Sequence, residues 1–197
     1  MAITFFGYGS LVNAATLGRD VELVPGRLSG WVRAWRVCGT SSAGRGVCVL
    51  TVHRRAGAQI EGALARQPAD RLPALLQREH KYDPIPGIGA AFRADGTGEP
   101  GPEDSFLFQV KDRYARWGDA DHPIYQSYLD CVLAGYFGTF GWDGVRRFLE
   151  TTEGWHVPVL PDRENPLYAR AVTLTAELRE GIDDVLAEHG VRYLQQR

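Results

Sequence analysis

Two stretches of this sequence hold residues that could do chemistry. The first is Gly7-Tyr8-Gly9-Ser10-Leu11, which follows directly on the short apolar run of residues 3–6. Two glycines flanking a tyrosine can turn sharply and leave their amides unscreened by side chains. A row of such amides at a strand end can receive a carboxylate or a developing oxyanion. The second is Glu79, which continues the series Leu72, Leu75, Leu76 at i, i+3, i+4, i+7 spacing. It therefore takes a place on the apolar stripe of a helix where one more hydrophobic residue is expected. Burial there, together with the negative end of the helix dipole, disfavours the ionised carboxylate and raises its pKa, which suits a general acid–base group near neutral pH. Each stretch also has a plainer reading: the glycines as a tight turn, and Glu79 as a half-exposed carboxylate paired with Arg78, Lys81 or another cation.

Two named motifs are excluded by the residues around these two, and other chemistries are disfavoured. A dinucleotide fingerprint needs a third glycine where Val12 stands, and a phosphate-binding P-loop needs a following lysine that is absent. Ser10 lacks the glycines two places before and after that a nucleophile elbow requires, since Tyr8 and Val12 stand there. The histidines, His53, His80, His122, His156 and His189, have no ligand spacing, so neither a metal nor another cofactor is expected. Cys38, Cys48 and Cys131 form no CxxC pair and are odd in number, which reads as reduced cysteines of a cytoplasmic protein. A net charge of −2 gives no reason to expect nucleic acid or an anionic membrane as a partner. The N-terminus has no basic region ahead of its apolar run, so no signal peptide is expected, and no apolar stretch approaches the length of a membrane span.

The elements that must position the two stretches follow from periodicity and turn residues. Residues 3–6 read as a strand and 13–20 as a short turn. Residues 28–40, with Trp31, Arg33, Trp35 and Val37 on alternate positions, read as a long strand bulged at Gly30. Residues 47–55 and 59–66 read as a hairpin around Ala56-Gly57-Ala58. Asp70 reads as the N-cap of the helix that carries Glu79. Strands resume at 85–93 and 105–112, separated by a Gly- and Pro-rich loop. Five or six strands with one helix between them imply an α+β fold built on a small, strongly curved mixed β-sheet or closed β-barrel flanked by helices. Helices follow at 123–137, 142–151 and 175–189, the last ending at Gly190. The chain divides into a core, 1–140, and a C-terminal helical extension, 141–197, packed on the core in the same domain.

The extension contains a stretch without helical or strand period, in which Trp155, Asp162, Arg163 and Tyr168 gather. Aromatic and charged groups concentrated in a loop suit recognition. Arg163 is the candidate for binding a substrate carboxylate in bidentate fashion, against the alternative of an ion pair with Asp162 or Glu164.

The strand ending in Gly7-Tyr8-Gly9-Ser10-Leu11, the Gly30-Trp31-x-Arg33-x-Trp35 strand, the hairpin and Leu75-x-x-Arg78-Glu79-x-x-Tyr82 together resemble the γ-glutamylcyclotransferase superfamily. The likeness is greatest to the branch holding ChaC-type and AIG2-like proteins, and it covers residues 1–140. It implies that Tyr8, Gly9, Ser10 and Leu11 hold a γ-glutamyl group and that Glu79 is the acid–base. It also implies that Tyr128, seven residues before Gly135, lines the pocket, with Tyr82 a further candidate. The implied reaction cyclises a small γ-glutamyl peptide or amine to 5-oxoproline and releases the amine. The nucleophile, the α-amino group, is already in the substrate, so the reaction requires near-attack geometry, one proton-transferring carboxyl and donors for the oxyanion. The expected partner is that small molecule, with a monomer or a homodimer both open. A non-catalytic small-molecule binding module on the same fold is the alternative.

Overall fold

The computed structural model describes residues 2–18, 20–41 and 44–195. Its organising strand is β1 (Ala2–Gly7), which is apolar at consecutive positions because both faces of the sheet are covered there. Phe6 enters the main core, while Phe5 joins a second cluster with Leu11, Leu75 and Phe108. β1 pairs antiparallel with β3 (Gly46–Pro68) and, when the later strand is numbered β6 (Phe106–Val110), parallel with it. β2 (Glu22–Thr40) pairs antiparallel with β3 from Glu22↔Arg66 to Thr40↔Gly46. With β4 (Tyr82–Pro86) and β5 (Phe92–Ala94) at the ends, the order is β4-β6-β1-β3-β2-β5.

The sheet is mixed and open, so the closed-barrel form of the expectation does not hold. One edge, β4, contains Pro84 and Pro86, which have no N–H to give a further ladder, and the other, β5, is only three residues long. The expected hairpin at 47–66 is also absent. The chain runs through Gly57 (φ +78°) as one 23-residue strand, and the pairing jumps from Trp31↔Arg54 to Ser29↔Gln59. Gly30 (φ +83°) lies at the same level of β2, so what looks locally like a turn is a bend shared by two long strands. A left-handed glycine likewise breaks the expected strand 85–93: Gly87 (φ +76°) ends β4, and a 3-10 turn, Gly89–Ala91, precedes β5.

Among the described residues there are three α-helices, of which the second packs on the sheet and the third on the second. α1 (Leu72–Arg78) follows a 3-10 turn, Ala69–Arg71, and Asp70 does not cap it: the N-cap is Arg71, with no side-chain hydrogen bond. α2 (Gln126–Glu150) kinks at Gly141 (φ +64°), where the sequence divides into two helical patterns. α3 (Ala176–Glu188) is capped by Thr175, whose side chain accepts from the Leu178 amide at 3.2 Å, and it buries Ile182, Val185 and Leu186. Short strands tie the C-terminal part to the sheet. β7 (Ile124–Tyr125) lies beside β3, β8 (Thr152–Glu153) beside β2, and β9 (Val159–Leu160) beside β7. Cys38, Cys48 and Cys131 are buried and unbridged. Among the described residues no helix is long and apolar enough to cross a membrane.

Candidate active site

The glycine loop leaves β1 and closes as a 3-10 turn, Ser10–Val12, in which the Val12 amide donates to Gly9 O at 3.0 Å. Close approach requires glycine at 7 and crowds any side chain at 9. A Cβ at Gly7 would stand 2.7 Å from the Leu11 carbonyl oxygen. At Gly9 (φ −133°) it would stand 3.2 Å from the Tyr128 hydroxyl and 3.3 Å from Leu50 Cδ1. α2 presses on this loop from below. A Cβ at Gly135 would meet Asn13 at 2.8 Å, and Asn13 Nδ2 donates to Cys131 O at 2.8 Å. The seven-residue spacing of Tyr128 and Gly135 thus places two turns of one helix against opposite ends of one loop.

Glu79 is the residue on which α1 ends, its amide donating to Leu75 O at 2.9 Å. The stripe is narrower than its spacing suggests: Leu75 is buried but Leu76 is 41% exposed. The Glu79 side chain, 14% exposed, lies where two hollows meet. The inner one, about 30 Å³, is lined by Tyr8, Gly9, Ser10, Leu11, Leu50, Glu79, Tyr82, Phe108 and Tyr128. The outer one, about 270 Å³, shares Ser10, Glu79, Tyr82 and Tyr128 and adds Arg78, Lys81, Tyr125, Tyr168 and Arg170 among its walls.

Burial pushes the Glu79 carboxyl above the usual carboxylate range, partly offset by the Arg78 and Arg170 cations. Arg78 Nε lies 3.0 Å from Glu79 Oε1. The same guanidinium donates to Thr16 O at 2.9 Å and Ser10 Oγ at 3.2 Å, so it joins loop to helix end. Burial also pushes the phenols of Tyr8, Tyr82 and Tyr128 well up, and they remain neutral donors. Tyr8 gives its proton to Phe108 O at 2.6 Å and Tyr82 to Leu50 O at 2.7 Å. Tyr128 packs edge-on against Trp35 and Tyr168. Such a site can hold a small ligand between aromatic walls, offer it amides, and exchange a proton with it through one carboxyl group.

The structure therefore brings together Tyr8, Gly9, Ser10, Leu11, Glu79, Tyr82 and Tyr128, but not Arg163. Arg163 bonds both oxygens of Asp130 on α2, at 2.6 and 2.9 Å, and Asp183 on α3, at 2.8 Å. Neither neighbour in sequence, Asp162 or Glu164, is its partner. Asp162 instead accepts from the Ser127 amide at 2.7 Å, the Ser127 hydroxyl at 2.6 Å and the Leu167 amide at 2.8 Å. It thereby pins the loop whose next residues, Leu167, Tyr168 and Arg170, form a wall of the outer hollow. The extension does reach the site, through a segment a few residues beyond the one its charges point to. Arg170 and Tyr125 carry no sequence signal of a role; Arg78 and Lys81 are marked only as cations near Glu79, with Arg78 also part of the Leu75–Tyr82 motif.

No protein-family model matches the sequence, and no curated protein matches it. Solved structures do match. A protein described as a gamma-glutamyl cyclotransferase superposes with a TM-score of 0.61 at 12% identity, over 93% of this chain and 99% of that one. An uncharacterized protein from Homo sapiens gives 0.59 at 12% identity, over 92% and 98%. YkqA from Bacillus subtilis gives 0.58 at 19% identity, over 76% of this chain and 53% of its own. The fold of this chain is thus the one found in a gamma-glutamyl cyclotransferase, an α+β arrangement with a large mixed, open sheet and α-helices.

Proposed function

We propose that this protein cyclises γ-glutamyl compounds to 5-oxoproline with release of the amine. One observation carries the reading: a buried carboxyl of raised pKa, Glu79, lies at the boundary between a small recess walled by residues 8–11 and a larger cavity open to solvent. In this reading the γ-carbonyl end of the γ-glutamyl group abuts the recess, which is too small for the whole group, and the rest of the substrate occupies the outer cavity. Glu79 takes a proton from the substrate α-ammonium. The freed amino nitrogen attacks the γ-carbonyl carbon, closing a five-membered ring, and the carbonyl oxygen draws on the amides of residues 9–11 as it gains charge. The C–N bond to the amine then breaks as Glu79 gives its proton to the departing nitrogen; the ring nitrogen, which still carries two protons after the attack, releases one of them through Glu79 to the departing amine, which leaves as an ammonium. The substrate supplies its own nucleophile, which agrees with Ser10 lacking a base: its hydroxyl accepts from Arg78.

The outer cavity has Arg78, Lys81 and Arg170 in its walls beside one carboxylate. That excess of cations suits a departing group with a carboxylate, an amino acid or peptide, better than a plain amine. The test is a panel of γ-glutamyl amino acids, γ-glutamyl peptides and γ-glutamylamines, with 5-oxoproline release measured for each. Release from the carboxylate-bearing members is expected. Binding of the panel without release from any member would make the protein a binding module.

A further inference from the structure

Arg33 is completely buried in the middle of β2, yet no carboxylate bonds its guanidinium among the described residues. Its acceptors are neutral: Tyr136 Oη at 2.6 Å, Glu61 O at 2.7 Å, Thr152 Oγ1 at 3.0 Å and Thr151 Oγ1 at 2.6 Å. Phe148 and Tyr136 stack on it at 4.6 and 5.2 Å. The Glu61 carboxylate turns away to Arg147, 2.9 Å distant. A buried cation held this way is costly, and an apolar side chain would fill the space at lower cost. Its polarising effect on what it touches is a physical reason to keep it.

What it touches leads to the glycine loop. The Tyr136 hydroxyl accepts from Arg33 and has one proton to give, with Tyr8 O at 3.0 Å and Glu61 O at 2.8 Å as acceptors. Either carbonyl can take the phenol proton, but Glu61 O already accepts from Arg33, whereas no loop or turn amide among the described residues donates to Tyr8 O, which makes Tyr8 O the acceptor that needs it. The Tyr8 carbonyl and the Gly9 N–H belong to one planar trans peptide and point in opposite directions. Holding that carbonyl toward Tyr136 turns the Gly9 N–H the other way. Among the described residues the Gly9 amide donates to no backbone carbonyl. Hydrogen bonding at the carbonyl end also polarises the peptide and strengthens its N–H as a donor. Neither Arg33 nor Tyr136 lines either hollow.

We infer that Arg33, acting through Tyr136, is a positioning residue that fixes the Tyr8–Gly9 peptide so that the Gly9 N–H serves as the oxyanion donor. This rests on the cyclotransferase reading above. The experiment compares wild type, Tyr136→Phe and Arg33→Lys for 5-oxoproline release on one γ-glutamyl peptide, with thermal melts and the pH profile of kcat/KM. The Tyr136→Phe change keeps the ring and leaves Arg33 three of its four acceptors. Its expected result is a kcat about tenfold lower, KM within twofold, and an unmoved acid limb, because Glu79 is untouched. Arg33→Lys, which keeps the charge, is expected to fall between it and wild type. A wild type that releases no 5-oxoproline overturns the cyclotransferase reading and this inference with it. An active wild type with Tyr136→Phe at unchanged kcat overturns the inference alone. Failure of both variants to fold makes the pair a structural support and also overturns it.

Discussion

Arg78 and Glu79 are adjacent in the chain and paired in space, with Arg78 Nε 3.0 Å from Glu79 Oε1. The pair sits at the end of α1, where the backbone leaves the helix and lets successive side chains turn the same way. Because the guanidinium also holds Thr16 O and Ser10 Oγ, one residue sets both the charge state of Glu79 and the distance between Glu79 and the loop.

Arg78→Gln separates these effects by pH. The proposed base must be ionised to take a proton, so activity falls as pH drops through the Glu79 pKa. Arg78 opposes the upward shift that burial imposes on that pKa. Without it the pKa rises further, and the acid limb of kcat/KM is expected to move to higher pH. An unmoved limb would show that Arg78 does not tune this carboxyl.

Glu79 also carries a cost in stability whose sign can be checked. Its folded-state pKa is raised, so its contribution is intact below the unfolded-state value and is lost as pH rises through the folded one. Glu79→Gln removes the ionisation. The variant is expected to melt higher than wild type at neutral pH and level with it near pH 3. Equal melting at both pH values would contradict the raised pKa.

Arg163→Ala is expected to act on stability and leave the chemistry alone. Removing it strands Asp130, only 4% exposed, without its partner. Breaking a buried pair on one side costs about 3–5 kcal/mol, which corresponds to a drop of several degrees or more in Tm for a chain of this size. Thermal melts with kinetics at a permissive temperature decide it; a raised KM with unchanged Tm would return Arg163 to the site.

Arg170→Ala is expected to alter selectivity. An exposed guanidinium–carboxylate contact is worth about 0.2–1 kcal/mol, so KM for a γ-glutamyl amino acid should rise up to about fivefold while a γ-glutamylamine is unaffected. Equal changes for both classes would show that Arg170 does not meet the departing group.

The site was legible in the sequence where a local pattern carries the constraint. The glycines at 7 and 9 announce close backbone approach, and Glu79 stands out as a carboxylate at a near-buried helical position. Tyr128 and Gly135 share a helix face through their spacing. The misreadings arise where local pattern and tertiary pairing part. Gly57 has the surroundings of a turn, and only its position opposite Gly30 makes it a bend in one strand. Gly87 hides in an apolar run that the chain breaks. Arg163 is flanked by acids in sequence but reaches Asp130 and Asp183, 33 and 20 residues away, which no local reading selects. Arg33 reads as one more position in an alternating strand. Its burial, and its route through Tyr136 to Tyr8 O, follow only from the packing of α2 on the sheet.

The most direct test of the central claim is 5-oxoproline release by Glu79→Gln on the substrate that wild type turns over, with calorimetric binding of that substrate alongside. Glutamine preserves the shape of the side chain but cannot take the ammonium proton. The account predicts a fall of about 10²-fold or more in kcat with the substrate still bound. Release at the wild-type rate would contradict it.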